Sequence, residues 1–296
     1  MQNRVAFSSN PQNIMRTISR LFLSCLLCFA LPLANGCNGE DSATVPSNPA
    51  EPERKEGEAG DRMVLVIQDV EYAFRWCPSG TFTMGSPVSE ERRDHNETQH
   101  QVTLSRGFWM LETEVTQAMW EKVMGNNPSH FKGEKLPVEN VSWNDCQEYI
   151  KKLNALLVGT LGAPAGYQFS LPTEAQWEYA CRAGTTTVYC FGNTLTQQQA
   201  NFRSNQTKEV GSYPANAWGL RDMHGNVFEW CADWFGDYPS GAVTDPAGAS
   251  SDSRRVIRGG SWIGSVLSSR SAFRYGIEPS DQMNYFGIRL ALVRAA

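Results

Sequence analysis

The sequence predicts an α+β domain of short antiparallel strands, few helices and long irregular loops. Three observations carry that expectation. Segments opening at Ser142 and Thr173 pair a capping residue with a partner three positions on, then present an apolar face at helical spacing. Short alternating or apolar runs, beginning with Val64–Ile67 and Tyr72–Trp76, read as strands. After Gly184 periodicity lapses: Gly, Asn, Thr and Ser punctuate every few residues while Trp, Tyr and Phe continue. Loops of that length persist in a compact domain when their own side chains pack them down.

The chain ahead of this domain differs in character. Arg16 and Arg20 precede an apolar run, Leu21–Leu33, too short to span a bilayer, followed by Ala34-Asn35-Gly36-Cys37. Residues 1–36 therefore read as a signal peptide, with Met15 an alternative start because nothing before it resembles a leader. Cysteine directly after small residues resembles a bacterial lipobox, although Ala34 and Asn35 depart from it. Cys37 is the expected lipidation site, and an ordinary cleaved signal peptide is the alternative. Residues 37–61, Pro-, Glu- and Ser-rich, bury too little to fold and read as a tether. The folded domain is expected over 62–296. The expected location is the bacterial cell envelope, outside the cytoplasm, with the membrane reached through the lipid anchor.

Charge narrows the partners. The leader holds Arg4, Arg16 and Arg20 and no acid, so its removal leaves 23 bases against 31 acids and no basic stripe. Nucleic acid is excluded as a partner on that ground. Of eight cysteines, Cys77, Cys146, Cys181, Cys190 and Cys231 remain in the domain. That odd set allows one or two disulfides of undetermined pairing and leaves at least one thiol.

In chain order, Phe82–Ser86 closes a strand at Gly85, and Val102–Met110 resumes one. Between them the polar loop Ser89–His100 carries His95 and His100, which could share a metal ion but are explained by solvation. Thr116 opens a helix running through Val123, stopped by Gly125 and Pro128. Ser142 and Asp145 cap the next, whose Cys146, Tyr149, Ile150, Leu153, Leu156 and Leu157 share one face. Thr173 and Gln176 cap a third, with Trp177, Ala180 and Cys181 inward and an end near Gly184. Strands return at Arg255–Trp262 and Phe286–Val293.

The stretch Gly219–Trp234 gathers Phe228, Trp230 and Trp234 around a Gly225-Asn226 turn, with Asp222, Glu229 and Asp233 beside the rings. Two carboxylates flanking a sharp turn with carbonyls between them could nest calcium, which accepts both donor types. The competing reading makes Asp222 a turn cap and Glu229 one half of a surface salt bridge.

Seven ordered motifs go further: GTFTMGS (80–86), ETEVTQ (112–117), LPVENVSWNDC (136–146), LPTEAQWEYACRAG (171–184), GLRDMHGNVFEWCADW (219–234), RVIRGGSW (255–262) and YFGIRL (285–290). Their order and spacing resemble the formylglycine-generating-enzyme, or sulfatase-modifying-factor, family over roughly Val64–Val293. The resemblance implies a C-type-lectin-like fold. It also implies a calcium site formed by the side chains of Asp222 and Glu229 and the carbonyls of Gly225 and Val227. A second family calcium site would begin at Asn201 and the Phe202 carbonyl, but its downstream Asp has no counterpart here.

The catalytic implication runs the other way. Family oxidases hold copper(I) between two cysteines shortly after the GGS motif and convert a substrate cysteine to formylglycine. After Gly259-Gly260-Ser261 this chain has no cysteine; about Gly264 and Ser269 occupy those positions. Serine hydroxyls are hard, weakly acidic donors that cannot replace thiolates toward copper(I), so copper is not expected. The iron-dependent branches of the wider family need several histidines or a His/carboxylate triad, and only His95, His100, His130 and His224 exist, from which no triad can be assembled in the sequence.

The expectation is therefore an exported, lipid-anchored, calcium-binding module that recognises an extended peptide or another protein segment without catalysis. Trp262, Arg270, Arg274 and Arg289 are the candidate ligand cleft, and ion pairs holding the loops are the alternative role for each arginine. Competing functions are a sulfatase-activating oxidase, or another metal-dependent oxidase, built on a different site with Cys181, Cys190 and Cys231 as its thiols. A carbohydrate-binding module would rest on fold analogy alone.

Overall fold

The computed structural model describes residues 57–295. The leader, Cys37 and most of the tether lie outside them. The last tether residues join the domain: Gly60 donates to the Trp76 carbonyl and Trp76 to that of Asp61, both at 2.9 Å.

Among the described residues, twelve strands form three sheets. The largest orders β1 (Arg62–Ile67), β2 (Val70–Cys77), β5 (Phe108–Leu111), β12 (Ala291–Arg294) and β6 (Tyr167–Ser170), every pair antiparallel. The C-terminal strand thus sits inside the sheet that the N-terminal hairpin begins. A second sheet orders β10 (Tyr275–Ile277), β9 (Arg255–Arg258), β7 (Phe228–Trp234) and β11 (Phe286–Gly287). The third joins β3 (Gly80–Met84), β4 (His100–Leu104) and β8 (Val243–Thr244).

Two details correct the sequence reading of the strands. The β11–β7 and β4–β8 pairs are parallel, so the sheets are mixed. The single strand expected over 102–110 is two, β4 and β5, interrupted at Ser105–Gly107. A Cβ on Gly107 would come within 2.3 Å of the Trp76 ring, so the indole packs directly on bare backbone there. Strand β6, shorter than a periodicity window, carried no sequence signal.

The helices follow their caps. α1 (Gln117–Met124) starts at Thr116, whose hydroxyl accepts from Met119 N, and ends at Gly125 with φ 78°. α2 (Trp143–Leu157) has the reciprocal Ser142–Asp145 pair, and α3 (Glu174–Arg182) the Thr173–Gln176 pair. α1 and α2 bury Trp120 and Tyr149, stacked at 4.8 Å, together with Tyr72, Phe74 and Phe169 of the large sheet. α3 buries Trp177, Ala180 and Cys181 against Val102, Phe108 and Met110. Few helices, curled short-stranded sheets and long ordered loops make this an α+β, C-type-lectin-like architecture.

Candidate functional site

The turn before β7 is held by backbone geometry. Asp222, Gly225 and Asn226 have φ of 59°, 86° and 62°, and a Cβ on Gly225 would come within 2.3 Å of the Asn201 carbonyl. Only glycine permits that approach. Asn226 then fastens two loops: its Oδ1 accepts from Asn201 Nδ2 (3.0 Å) and Lys208 N (2.9 Å).

β7 carries Glu229 into the interior, fully buried. Arg289 donates to both its carboxylate oxygens, the closest contact being Nη2 to Oε1 at 2.7 Å, and Trp177 Nε1 donates to Oε2 at 2.6 Å. Asp222 Oδ2 accepts from Gly211 N at 2.5 Å, while its Oδ1 is buried with no partner. Beside them Glu114 is completely buried with neither carboxylate oxygen hydrogen-bonded. Burial pushes the Asp222 carboxyl up to about 6, the Gly211 amide and Arg289 opposing. Burial, reinforced by Asp222, lifts Glu114 well above the carboxylate range.

These residues test the implied calcium site. Asp222 fits, with an oxygen that nothing in the protein satisfies. Glu229 is engaged on both oxygens by Arg289 and Trp177, an ion pair, although buried rather than on the surface. The second site fits poorly. The Asn201 amide donates to Gln206 O and Asn226, and the Phe202 carbonyl accepts from Gln197 Nε2 at 2.9 Å. Among the described residues no three His, Cys, Asp or Glu side chains are grouped to hold a metal ion, so any hard cation here draws further ligands from carbonyls.

The proposed ligand cleft is corrected. Arg270, Arg274 and Arg289 are 1%, 2% and 0% exposed. Arg270 binds Glu97 and Glu90, each at 2.6 Å, Arg274 binds Glu174 at 2.6 Å, and Arg289 binds Glu229. A dry bidentate guanidinium cannot also clamp a ligand, so these arginines hold the loops, the alternative role weighed for them. The polar loop before β4 is consequently pinned through Glu90 and Glu97 rather than merely solvated. Trp262 is buried too: its indole N–H donates to Asn284 O (3.0 Å) and its ring meets Phe131 edge-on at 5.3 Å. Several apolar side chains of these segments face solvent, beside the exposed Glu278, Ser280 and Gln282. Ile263, Leu267, Tyr275 and Met283 are all exposed, and Ile263 and Met283 flank the Trp262–Asn284 bond.

After the GGS motif, where the resemblance led to an expectation about copper cysteines, Ser269 is fully buried with an unpartnered hydroxyl. A Cβ at Gly264 would meet Ser268 Oγ at 2.7 Å. One layer beneath, His224 accepts from Cys190 N through Nε2 (3.1 Å), and its Nδ1 lies 2.7 Å from Ser269 O, the arrangement of the Nδ1-protonated tautomer. Cys181 Sγ lies 3.8 Å from the same Nε2, and burial pushes its thiol up to about 12. All five described cysteines are free thiols, so no disulfide forms among them. His100 packs on Tyr238 and His130 on Phe131, leaving the histidines dispersed.

Residues 70–294 match the sulfatase-modifying factor enzyme 1-like domain. The chain belongs to that family. The formylglycine-generating enzyme of Mus musculus is 30% identical over 232 residues, covering 71% of this chain and 57% of the mouse protein. Serine/threonine-protein kinase pkn1 of Chlamydia caviae is 38% identical over 162 residues, which take in 53% of this chain and only 24% of that protein. The chain thus spans about a quarter of the kinase and little over half of the mouse enzyme. Treponema denticola variable protein 1 superposes with a TM-score of 0.69 at 32% identity, covering 78% of this chain and 98% of that one. The sulfatase-modifying-factor fold therefore frames the geometry above.

Glu114 escaped sequence reading. It sits beside the apolar Val115 in a motif that ends in a helix cap, where an acid reads as surface. Its surroundings come from Asp222, Glu229 and Arg289, more than a hundred residues away.

Proposed function

We propose that this sulfatase-modifying-factor domain is a non-catalytic recognition module, exported and lipid-anchored through Cys37, stabilised by calcium at the Asp222 turn. Its ligand is an extended peptide or another protein segment. The observation that carries the reading is the donor set after the GGS motif: glycine at 264 and a buried serine at 269 where the oxidases have thiolates. Soft monovalent copper has nothing to bind there. The exposed apolar residues of the same segment, not the buried arginines, supply the contact surface.

Peptide selection against the calcium-supplemented protein tests this. Selected binders should bind Ile263→Asp and Met283→Asp at least about tenfold more weakly, since each change introduces a charge into an apolar contact. The melting midpoint should stay within a degree or two, roughly, because both sites are exposed. Binders indifferent to both changes would contradict the assignment of the surface.

A second reading has one observation in its favour. Cys181, Cys190 and His224 converge behind Ser269, a set that a soft metal or an alternative oxidase centre would use. The elevated Cys181 thiol and the Nε2 lone pair already given to Cys190 N weigh against it.

A further inference from the structure

One end of the domain carries apolar side chains that the rest of the protein leaves uncovered. α2 ends at Leu157, and the chain turns at once into VGTLGAPAG (158–166), a loop without a charged residue. Val158 and Leu161 stand 86% and 96% exposed on it. The loop is held by bonds of its own: Thr160 N donates to Leu157 O (3.0 Å), Thr160 Oγ1 to Leu156 O (2.8 Å) and Ala163 N to Thr160 O (3.2 Å). Ala295 N, following β12, donates to Gly166 O at 2.8 Å. Beside the tip opens a groove of about 460 Å³ lined in part by Leu157, Ala163, Pro164 and Tyr167. A single exposed apolar side chain is ordinary, as Val88 is next to Glu90, Glu91, Arg92 and Arg93. Two together on an uncharged tip mark a contact surface.

The charges behind the tip have one sign. From Tyr149 to Thr173 the chain holds Lys151 and Lys152 and no acid, although its net charge is −5. Lys152 is exposed, and Lys151 is 81% exposed with only Glu148 at 3.8 Å, a surface pair that contributes little. Across the β12–β6 pair, the exposed Arg294 lies over the Tyr167 ring at 5.7 Å. Lys152 stands about 9 Å behind Val158 along the helix. That matches the roughly 5–10 Å to which interfacial apolar groups enter a bilayer. Lysine, arginine and tyrosine are the side chains that settle at headgroup depth.

We propose that the 158–166 tip is a membrane contact. Val158 and Leu161 enter the acyl boundary of an anionic bilayer, while Lys151, Lys152 and Arg294 meet its phosphate headgroups. Charge complementarity selects this occupant, since the two elements that carry the tip, α2 after Glu148 and β6, offer cations and no acid. The contact is separate from the surface at Ile263 and Met283 and depends on neither calcium nor a lipid on Cys37.

The test mixes the full-length protein with vesicles of phosphatidylcholine alone or blended with phosphatidylglycerol, and reads amide hydrogen exchange of 158–166. Reading exchange at the tip itself separates this contact from binding through the apolar run Leu21–Leu33. The blended vesicles should slow exchange there several-fold, and phosphatidylcholine alone should not. The lipid concentration that half-saturates the slowing should rise at least about tenfold in Leu161→Asp. It should rise about as far when Lys151→Glu and Lys152→Glu are combined, and raised salt should weaken the wild type likewise. These variants should melt within roughly two degrees of wild type, because every changed side chain is exposed. Unchanged exchange at 158–166, equal slowing by both vesicles, or a response indifferent to Leu161→Asp overturns the proposal. Slowing that grows with protein concentration in the absence of lipid overturns it too, and makes the tip a surface for a second copy of this chain.

Discussion

At the scale of single residues, this domain buries charge to a degree its composition does not announce. Arg258, Arg270, Arg274 and Arg289 are all essentially inaccessible, and each meets a carboxylate from a distant segment. Such pairs contribute little net energy over an apolar replacement, but removing one partner strands the other. Their effect here is specificity: each guanidinium fork fixes one loop in one place. Glu139 is the opposite case, a buried acid that Lys132 acts on only at a distance. Its Oε1 accepts from Phe131 N at 2.8 Å, its Oε2 has no partner, and burial pushes its carboxyl up to about 7. Between the unfolded value of 4.5 and about 7 the folded state therefore holds more proton than the unfolded state. Its contribution to stability falls as pH rises through that window. Glu139→Gln should gain on wild type by on the order of 3 kcal/mol between pH 4.5 and 7, with no further change above. Urea unfolding across that range measures it, and parallel pH profiles would contradict it.

At the scale of elements, the helices were legible because capping is local. Ser142 with Asp145 and Thr173 with Gln176 lie three residues apart, and the reciprocal bonds form as their chemistry dictates. Thr173→Ala should lose about 1 kcal/mol in chemical denaturation, the usual worth of such a cap. A loss near zero would show that α3 is held by Trp177 and Glu178 alone. Strand pairing was less legible. β11 and β8 have two residues each and pair in parallel with β7 and β4, partners far along the chain, so no local alternation signals them. The break between β4 and β5 was equally hidden, because it depends on Trp76 lying over Gly107. The turn at Gly225-Asn226 could be read directly, since its residues are the ones left-handed backbone requires. The fate of Arg270, Arg274 and Arg289 could not, because whether an arginine faces a ligand or a carboxylate is settled by chain segments up to 180 residues away.

At the scale of the whole molecule, the sulfatase-modifying-factor frame is kept, and the proposed reading is that the chemistry at its C-terminal segment has changed. The capped helices and the buried ion pairs serve the scaffold. The positions expected for thiolates fall at about Gly264 and Ser269, and exposed apolar residues beside them in the chain are Ile263 and Leu267. Scaffold and activity are separable in this way because catalysis depends on a few donor atoms and the fold on many contacts. The direct measurement is to supply the purified protein with copper(I), oxygen and a cysteine-containing sulfatase-motif peptide and follow aldehyde formation. The account predicts no aldehyde above a protein-free control and no stoichiometric copper on the protein. Turnover of the peptide, abolished by Cys181→Ser or Cys190→Ser, would contradict it.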